Sequence, residues 1–210
     1  MSRSDALRNR QRVLDAAIEA YADDGPSFGM HDVARRASVG VGTVYRHFAD
    51  REELIDAIAR PFFDETLVIA HTALAETAPG DRFATFVRAF ATALAEHGVS
   101  GHCSWDSPAA QPVRAELRTL VTGFVEDGRA AGTIRSDLTR EDASAILFTT
   151  TMLVDATREH GPGIWRRLVE LMLDGIRPGP PQEIAAPPVD RSDWDAFVRA
   201  RGQRAADRPR

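Results

Sequence analysis

The stretch Ser38–Leu54, SVGVGTVYRHFADREEL, supports two opposite readings. Its opening, V-G-V-G-T-V, has the composition of a glycine-rich turn that leaves a strand and cradles a phosphate. Its end, Y-R-H-F-A-D-R-E-E-L, reads as one helix finishing and another beginning. Spacing decides against the first. A dinucleotide loop of the form G-x-G-x-x-G needs glycine where Tyr45 stands, and no preceding strand or downstream ribose-binding acid accompanies it. Asp50 with Glu53 three residues later forms a capping-box-like start for a helix. Ahead of it, a short helix over residues 30–37, the turn Ser38-Val39-Gly40 and a second helix over 41–48 are predicted. A first amphipathic helix carries Leu14, Ile18 and Tyr21 and ends before Gly25-Pro26. Three helices in about 45 residues, the last two joined by a tight turn, outline a helix-turn-helix unit.

In that arrangement Val39, Val44 and Phe48 face a small core with Leu14, Ile18 and Val33. Val41, Gly42, Thr43, Tyr45, Arg46 and His47 are left pointing outward or along the leading end. Such a face offers hydroxyl and cationic donors to phosphate, an aromatic ring to a thymine methyl and Arg46 to a guanine edge. Arg8 and Arg12 add an independent cue, because cations in the first turns of a helix oppose its dipole and gain from a phosphate partner. Residues 1–60 nevertheless hold nine arginines against ten carboxylates. Binding to double-stranded DNA must therefore rest on the arrangement of charge rather than its sum, and is expected to fall steeply with salt.

The whole chain carries the same lesson: 210 residues, net charge −5, 43% hydrophobic and 27% charged, with no lysine. That is a globular composition, and it argues against indiscriminate coating of nucleic acid. The single cysteine, Cys103, allows no internal disulfide and suggests a cytoplasmic home. M-S-R-S-D-A-L-R-N-R lacks an apolar run behind its arginines, and no stretch is apolar for long enough to predict a membrane span. His97, His102 and Cys103 lie close in sequence, but their spacing is not a zinc pattern, and no metal or other cofactor is expected.

Residues 51–177 read as a helical bundle. Phe83, Phe86, Val87, Phe90 and Leu94 form one stripe, and Val113, Leu117, Leu120, Val121, Phe124 and Val125 another, with two further helices near 141–160 and 164–176. A short recognition helix covers only a half-site, so two copies are expected on a palindrome. Ile146, Leu153, Ile164, Leu168, Leu171 and Met172 on the last two helices are the candidate dimer interface, their alternative being intramolecular core. Thr149-Thr150-Thr151 supplies hydroxyls to orient a ligand if they face inward. The tail, residues 178–210, is proline-rich and expected to be flexible; a short docking helix around Trp194, Phe197 and Val198 is the alternative.

Residues 8–54 resemble the N-terminal domain of the TetR family of bacterial transcriptional regulators. The family frame I-L-x-A-A, D-I-A-x-x-A-G-V-S-x-G-T-L-Y-x-H-F and K-x-x-L appears here as V-L-D-A-A-I, D-V-A-R-R-A-S-V-G-V-G-T-V-Y-R-H-F and R-E-E-L. Two departures, Gly29 and Gly40 at helix starts, keep an acceptable N-cap but lose a hydroxyl that could touch phosphate. The resemblance implies an all-α protein: a DNA-binding domain over residues 1–50 and a ligand-binding and dimerisation domain over 51–177. It implies that Thr43, Tyr45 and His47 anchor or read DNA, that Val41 and Arg46 vary with the operator, and that Arg51 holds a backbone phosphate. It further implies a pocket for an unidentified small-molecule effector, for which Phe62, Phe86, Phe90, Trp105, Phe124, Phe148, Thr149 and Met152 are candidates. The function implied is that of a ligand-responsive, homodimeric repressor rather than an enzyme. A helical small-molecule binder that no longer reads DNA is the alternative.

Overall fold

The computed structural model of the protein describes residues 3–24, 28–97, 110–157, 162–179 and 190–196, and these contain helices and turns but no strand. Eight helices follow in order: α1 Arg3–Asp24, α2 Met30–Arg36, α3 Val41–His47, α4 Arg51–Glu76, α5 Arg82–His97, α6 Gln111–Ala130, α7 Arg140–Thr157 and α8 Pro162–Gly175. A further short helix occupies residues 191–196. No helix among the described residues is long and apolar enough to cross a membrane.

One buried cluster runs from α1 to α8. Its first part differs from expectation in which face of α1 it uses. Val13, Ala16, Ala17, Ala20 and Tyr21 are buried, while Leu14 is half-buried and Ile18 is 43% exposed. The alanine side lies inward because small side chains let α2 and α3 approach closely, and Tyr21 closes that end by packing edge-on against Phe28 at 6.2 Å.

The connection that aims α3 is a Schellman turn. Val39 N–H donates to the Ala34 carbonyl at 3.0 Å and Ser38 N–H to the Arg35 carbonyl at 3.2 Å. Ser38 takes the left-handed conformation this motif requires, φ 53°, and is the one non-glycine residue with positive φ among the described residues. A side chain there is strained by contact between Cβ and the following backbone. The Arg12 guanidinium donates to the Ala37 carbonyl at 2.6 Å, placing a cation on the C-terminal end of α2.

α4 begins as its sequence indicates: the Asp50 side chain accepts from Glu53 N–H at 2.8 Å, and the Glu53 carboxylate accepts from Ala49 N–H at 2.6 Å. It then packs against α1 on one side of the molecule and against α5 and α6 on the other. The bundle beyond is tied by a few long-range ion pairs. Arg82 meets Asp127 at 2.5 Å, joining the start of α5 to the end of α6. Arg88 forks onto Glu170 at 2.6 and 2.8 Å, joining α5 to α8. That hydrogen-bonded pairing holds the Glu170 carboxyl below its ordinary range. Where α6 ends, Ile134 folds back so closely over Gly128 that a Cβ there would lie 2.4 Å from Ile134 Cδ1.

Two substitutions test these turns by denaturant unfolding. Ser38→Gly relieves the left-handed strain and is expected to raise stability by about 0.5–1 kcal/mol. Gly128→Ala forces Ile134 outward and is expected to cost about 1–3 kcal/mol. A Ser38→Gly variant no more stable than the parent would contradict the first assignment, and an unperturbed Gly128→Ala variant the second.

Candidate nucleic-acid interface

α2, the Schellman turn and α3 place a small set of side chains on one outer surface. Val44 is fully buried and Phe48 nearly so, which fixes the rotation of α3 about its axis. Tyr45 and Arg46, which follow Val44, then face out: Tyr45 is 48% exposed and Arg46 is exposed beside it. Arg46 Nη2 donates to the Thr43 hydroxyl at 3.0 Å, one turn earlier on the same face. Gly42 is exposed, so backbone there can come close to another molecule. Arg51 stands exposed at the first position of α4, beside that helix's unpaired amides.

Three expected contributors sit differently. Val41 is only half-exposed and packs partly against the core. His47 is also half-buried, and its Nε2 is sealed from solvent without a hydrogen-bonding partner among the described residues, which keeps that atom out of reach of DNA. Arg12 is exposed but already engaged with the Ala37 carbonyl. This bond explains its place in α1 without a phosphate.

Pairing within the domain explains how a nearly neutral segment presents positive charge. Arg8 is paired with Asp5, and Arg35 and Arg36 both with Asp32. Arg36 also reaches Asp23 at 2.6 Å. The hydrogen bonds from Arg36 and then Arg35 hold the Asp32 carboxyl below its usual range. The Arg36 guanidinium, bonded to Asp23 and Asp32, is in turn held more firmly protonated. Arg10 lies over the Phe48 ring, 4.9 Å from its centroid. Asp5, Asp23 and Asp32, three of the six acids of α1 and α2, are thus occupied by neighbouring arginines, and Arg46 and Arg51 have no carboxylate partner among the described residues. The exposed Arg8–Asp5 pair is worth little in water, so Arg8 can exchange Asp5 for a phosphate at small cost.

The candidate effector residues fall into two places. Phe62, Phe90, Phe86 and Phe124 form a continuous buried ladder across α4, α5 and α6, with centroid separations of 6.0, 5.8 and 5.9 Å in that order. His97 packs edge-on against Phe62 at 5.8 Å and pairs with Glu65. Phe148 belongs to a different contact, packing edge-on against Trp194 at 6.0 Å, and Met152 one turn on is half-buried. Thr149 is exposed, contrary to the inward orientation expected of it. Successive helical residues turn about 100°, and it is Thr150 and Thr151 that face inward, their hydroxyls donating to the carbonyls of Ile146 and Leu147. Trp105, His102 and Cys103 lie outside the described residues. No group of three or more potential metal ligands occurs among the described residues.

The candidate dimer residues divide similarly. Ile146, Leu153 and Met172 are half-buried against the core. α8 carries two apolar stripes: Trp165, Val169 and Leu173 are buried, whereas Ile164, Leu168 and Leu171 are 44, 40 and 49% exposed.

Comparison with known proteins accounts for this arrangement. The family described as "Bacterial regulatory proteins, tetR family" matches residues 13–58, and "Transcriptional regulator SbtR-like, C-terminal domain" matches residues 78–178. An HTH-type transcriptional regulator of Staphylococcus aureus is 38% identical over 53 residues, 25% of this chain and 29% of that protein. The chain thus matches under a third of the length of that curated relative. A TetR transcription regulatory protein of Mycobacterium vanbaalenii is 30% identical, with 84% of this chain matched to 99% of that one at a TM-score of 0.49. The regulator PfmR of Thermus thermophilus is similar in fold, with a TM-score of 0.66 at 18% identity over 81% of this chain and 100% of that one. From α1 to the end of α8, the chain belongs to the TetR family of bacterial transcriptional regulators.

Proposed function

We propose that the protein is a ligand-responsive repressor that binds a palindromic operator as a homodimer. The observation that carries this reading is the exposed pair Tyr45 and Arg46, the latter bonded to half-exposed Thr43, on a helix whose other side is anchored by buried Val44 and Phe48. A guanidinium and a phenol held at adjacent positions suit base edges in a major groove, and Arg51 with the first amides of α4 suits the flanking phosphate. Gly42 permits close approach, Arg8 extends the contact from α1, Arg12 holds the turn through the Ala37 carbonyl, and Val41 and His47 support the helix from its inner side.

The exposed stripe Ile164, Leu168 and Leu171 supports the dimer. These side chains recur at helical spacing on the side of α8 turned away from its own core, and pairing α7 and α8 with their copies would bury them in a four-helix arrangement. The aromatic ladder supports an apolar effector. Its rings pack directly on one another, so a ligand inserted among Phe62, Phe86, Phe90 and Phe124 must displace α4, α5 or α6. A ligand lowers operator occupancy only through its preference for the non-operator state, and full release takes roughly 10⁴-fold preference.

Fluorescence anisotropy with duplex DNA flanking the protein's own gene tests the reader. Tyr45→Ala and Arg46→Ala are each expected to weaken operator binding about tenfold or more. Both should leave sedimentation of the dimer unchanged; normal binding by both would remove α3 from the interface. Leu168→Glu with Leu171→Glu places carboxylates in the proposed subunit contact, and should yield monomers that bind the full operator poorly. A double variant that still sediments as a dimer would place the contact elsewhere.

A further inference from the structure

α3 does not hold its own direction. It has seven residues, Val44 is its one buried side chain, and Gly40 caps it without a side-chain hydrogen bond. Phe48, just past its end, adds a second buried anchor. Two anchors one turn apart fix which face points outward, but they leave the tilt of the helix to whatever holds its ends. Reading a base edge depends on that tilt, because hydrogen bonds weaken steeply once donor and acceptor are misaligned.

Both ends are held from α1. Arg12 Nη2 donates to the Ala37 carbonyl at 2.6 Å, across 25 residues of sequence. Ala37 is the C-cap of α2 and stands immediately ahead of Ser38, the left-handed pivot of the turn. The carbonyls of Val33, Ala34 and Arg35 accept from the backbone amides of Ala37, Val39 and Ser38. The Ala37 carbonyl accepts from the Arg12 side chain instead. At the far end of α3, the Arg10 guanidinium lies over the Phe48 ring, 4.9 Å from its centroid. Residues two apart on a helix point about 200° apart, so the two arginines of R-Q-R diverge, one to the entry of α3 and one to its exit.

We propose that Arg10 and Arg12 are positioning residues for DNA recognition. They set the aim of α3 from α1, and the base contacts of Tyr45 and Arg46 depend on them although neither touches DNA. Arg8, exposed and one turn before Arg12, is the arginine of this run left to a phosphate. The inference rests on the reading of α3 as the DNA reader and is independent of any effector. A phosphate contact adds affinity for every duplex, whereas a positioning contact adds only discrimination between duplexes.

Anisotropy titrations of the full chain test this difference, using duplex DNA flanking its own gene and a scrambled duplex of equal length at several salt concentrations. Arg12→Gln and Arg10→Gln are each expected to lower the ratio of the two affinities about tenfold. Affinity for the scrambled duplex and its salt slope should match those of the parent. A lost phosphate contact would weaken both duplexes alike and flatten the slope by about 0.9 for each contact. That result, or an unchanged ratio, would overturn the proposal. Both side chains are exposed, and side-chain NMR of the parent gives a second reading should a variant fail to fold. The Arg10 and Arg12 guanidinium signals should keep their positions when the flanking DNA is added, while that of Arg46 moves; an Arg12 signal that moves with Arg46 would overturn the assignment. A parent chain that does not prefer the flanking DNA to the scrambled duplex would remove the reader itself, and this inference with it.

Discussion

The structure depends on α4 being one continuous helix buried along its length against different neighbours. Its 26 residues span about 39 Å. Leu54, Ile55 and Ile58 are buried in its first turns, and Phe62, Phe63, Thr66 and Ala70 further on. The Asp50 cap fixes where it starts, immediately after the reader helix, and the Phe62–Phe90 contact fixes it within the bundle. Pro61 lies between the two buried groups on the exposed side, where its missing N–H costs one helix bond without exposing apolar surface. With such a rod, a shift among the aromatic rings of the bundle cannot be absorbed locally. In the proposed function, this rod is the route by which such a shift would reach the end that carries α3.

The charge pattern of the reader follows from a related economy. A segment with as many acids as bases can still present a cationic edge if its acids are occupied. Asp32 binds two arginines at once, Asp23 binds one of them, and Asp5 binds Arg8. These pairs build the inner and flanking surfaces of α1 and α2, while Arg46 and Arg51 remain on the face beside Tyr45. Affinity built this way is local and depends on salt, and one reader helix supplies little of it. The proposed dimer would supply the rest by placing two copies on adjacent turns of the duplex.

Much of the reader is legible in the sequence, because spacing determines it. Buried Val44 and Phe48 bracket the exposed pair Tyr45 and Arg46, and Asp50 with Glu53 announces α4. The face of α1 is not legible in the same way. Leu14 and Ile18 have the larger apolar side chains, yet close helix approach favours Ala17 and Ala20. Arg12 has two possible uses, and only the fold reveals the Ala37 carbonyl within its reach. The strain at Ser38 does have a sequence signal: it stands where the family frame has glycine, and glycine in that position marks a left-handed turn. Thr149 defeats sequence reasoning because three adjacent threonines offer no periodicity from which to choose a face. The tail's proline content favours a flexible reading, yet residues 191–196 form the docking helix that Trp194 offers as the alternative, packed on Phe148 across a long sequence separation; Phe197 and Val198 lie outside the described residues.

The central claim is that two exposed α3 helices read two half-sites from a single dimer. Footprinting with hydroxyl radicals on the DNA flanking the protein's gene tests it most directly. The account predicts two protected patches on one face of the duplex, related by a dyad and centred about 34–36 Å apart or a multiple of it. Protection without sequence preference, or a single unpaired patch unaffected by Tyr45→Ala and Arg46→Ala, would contradict it.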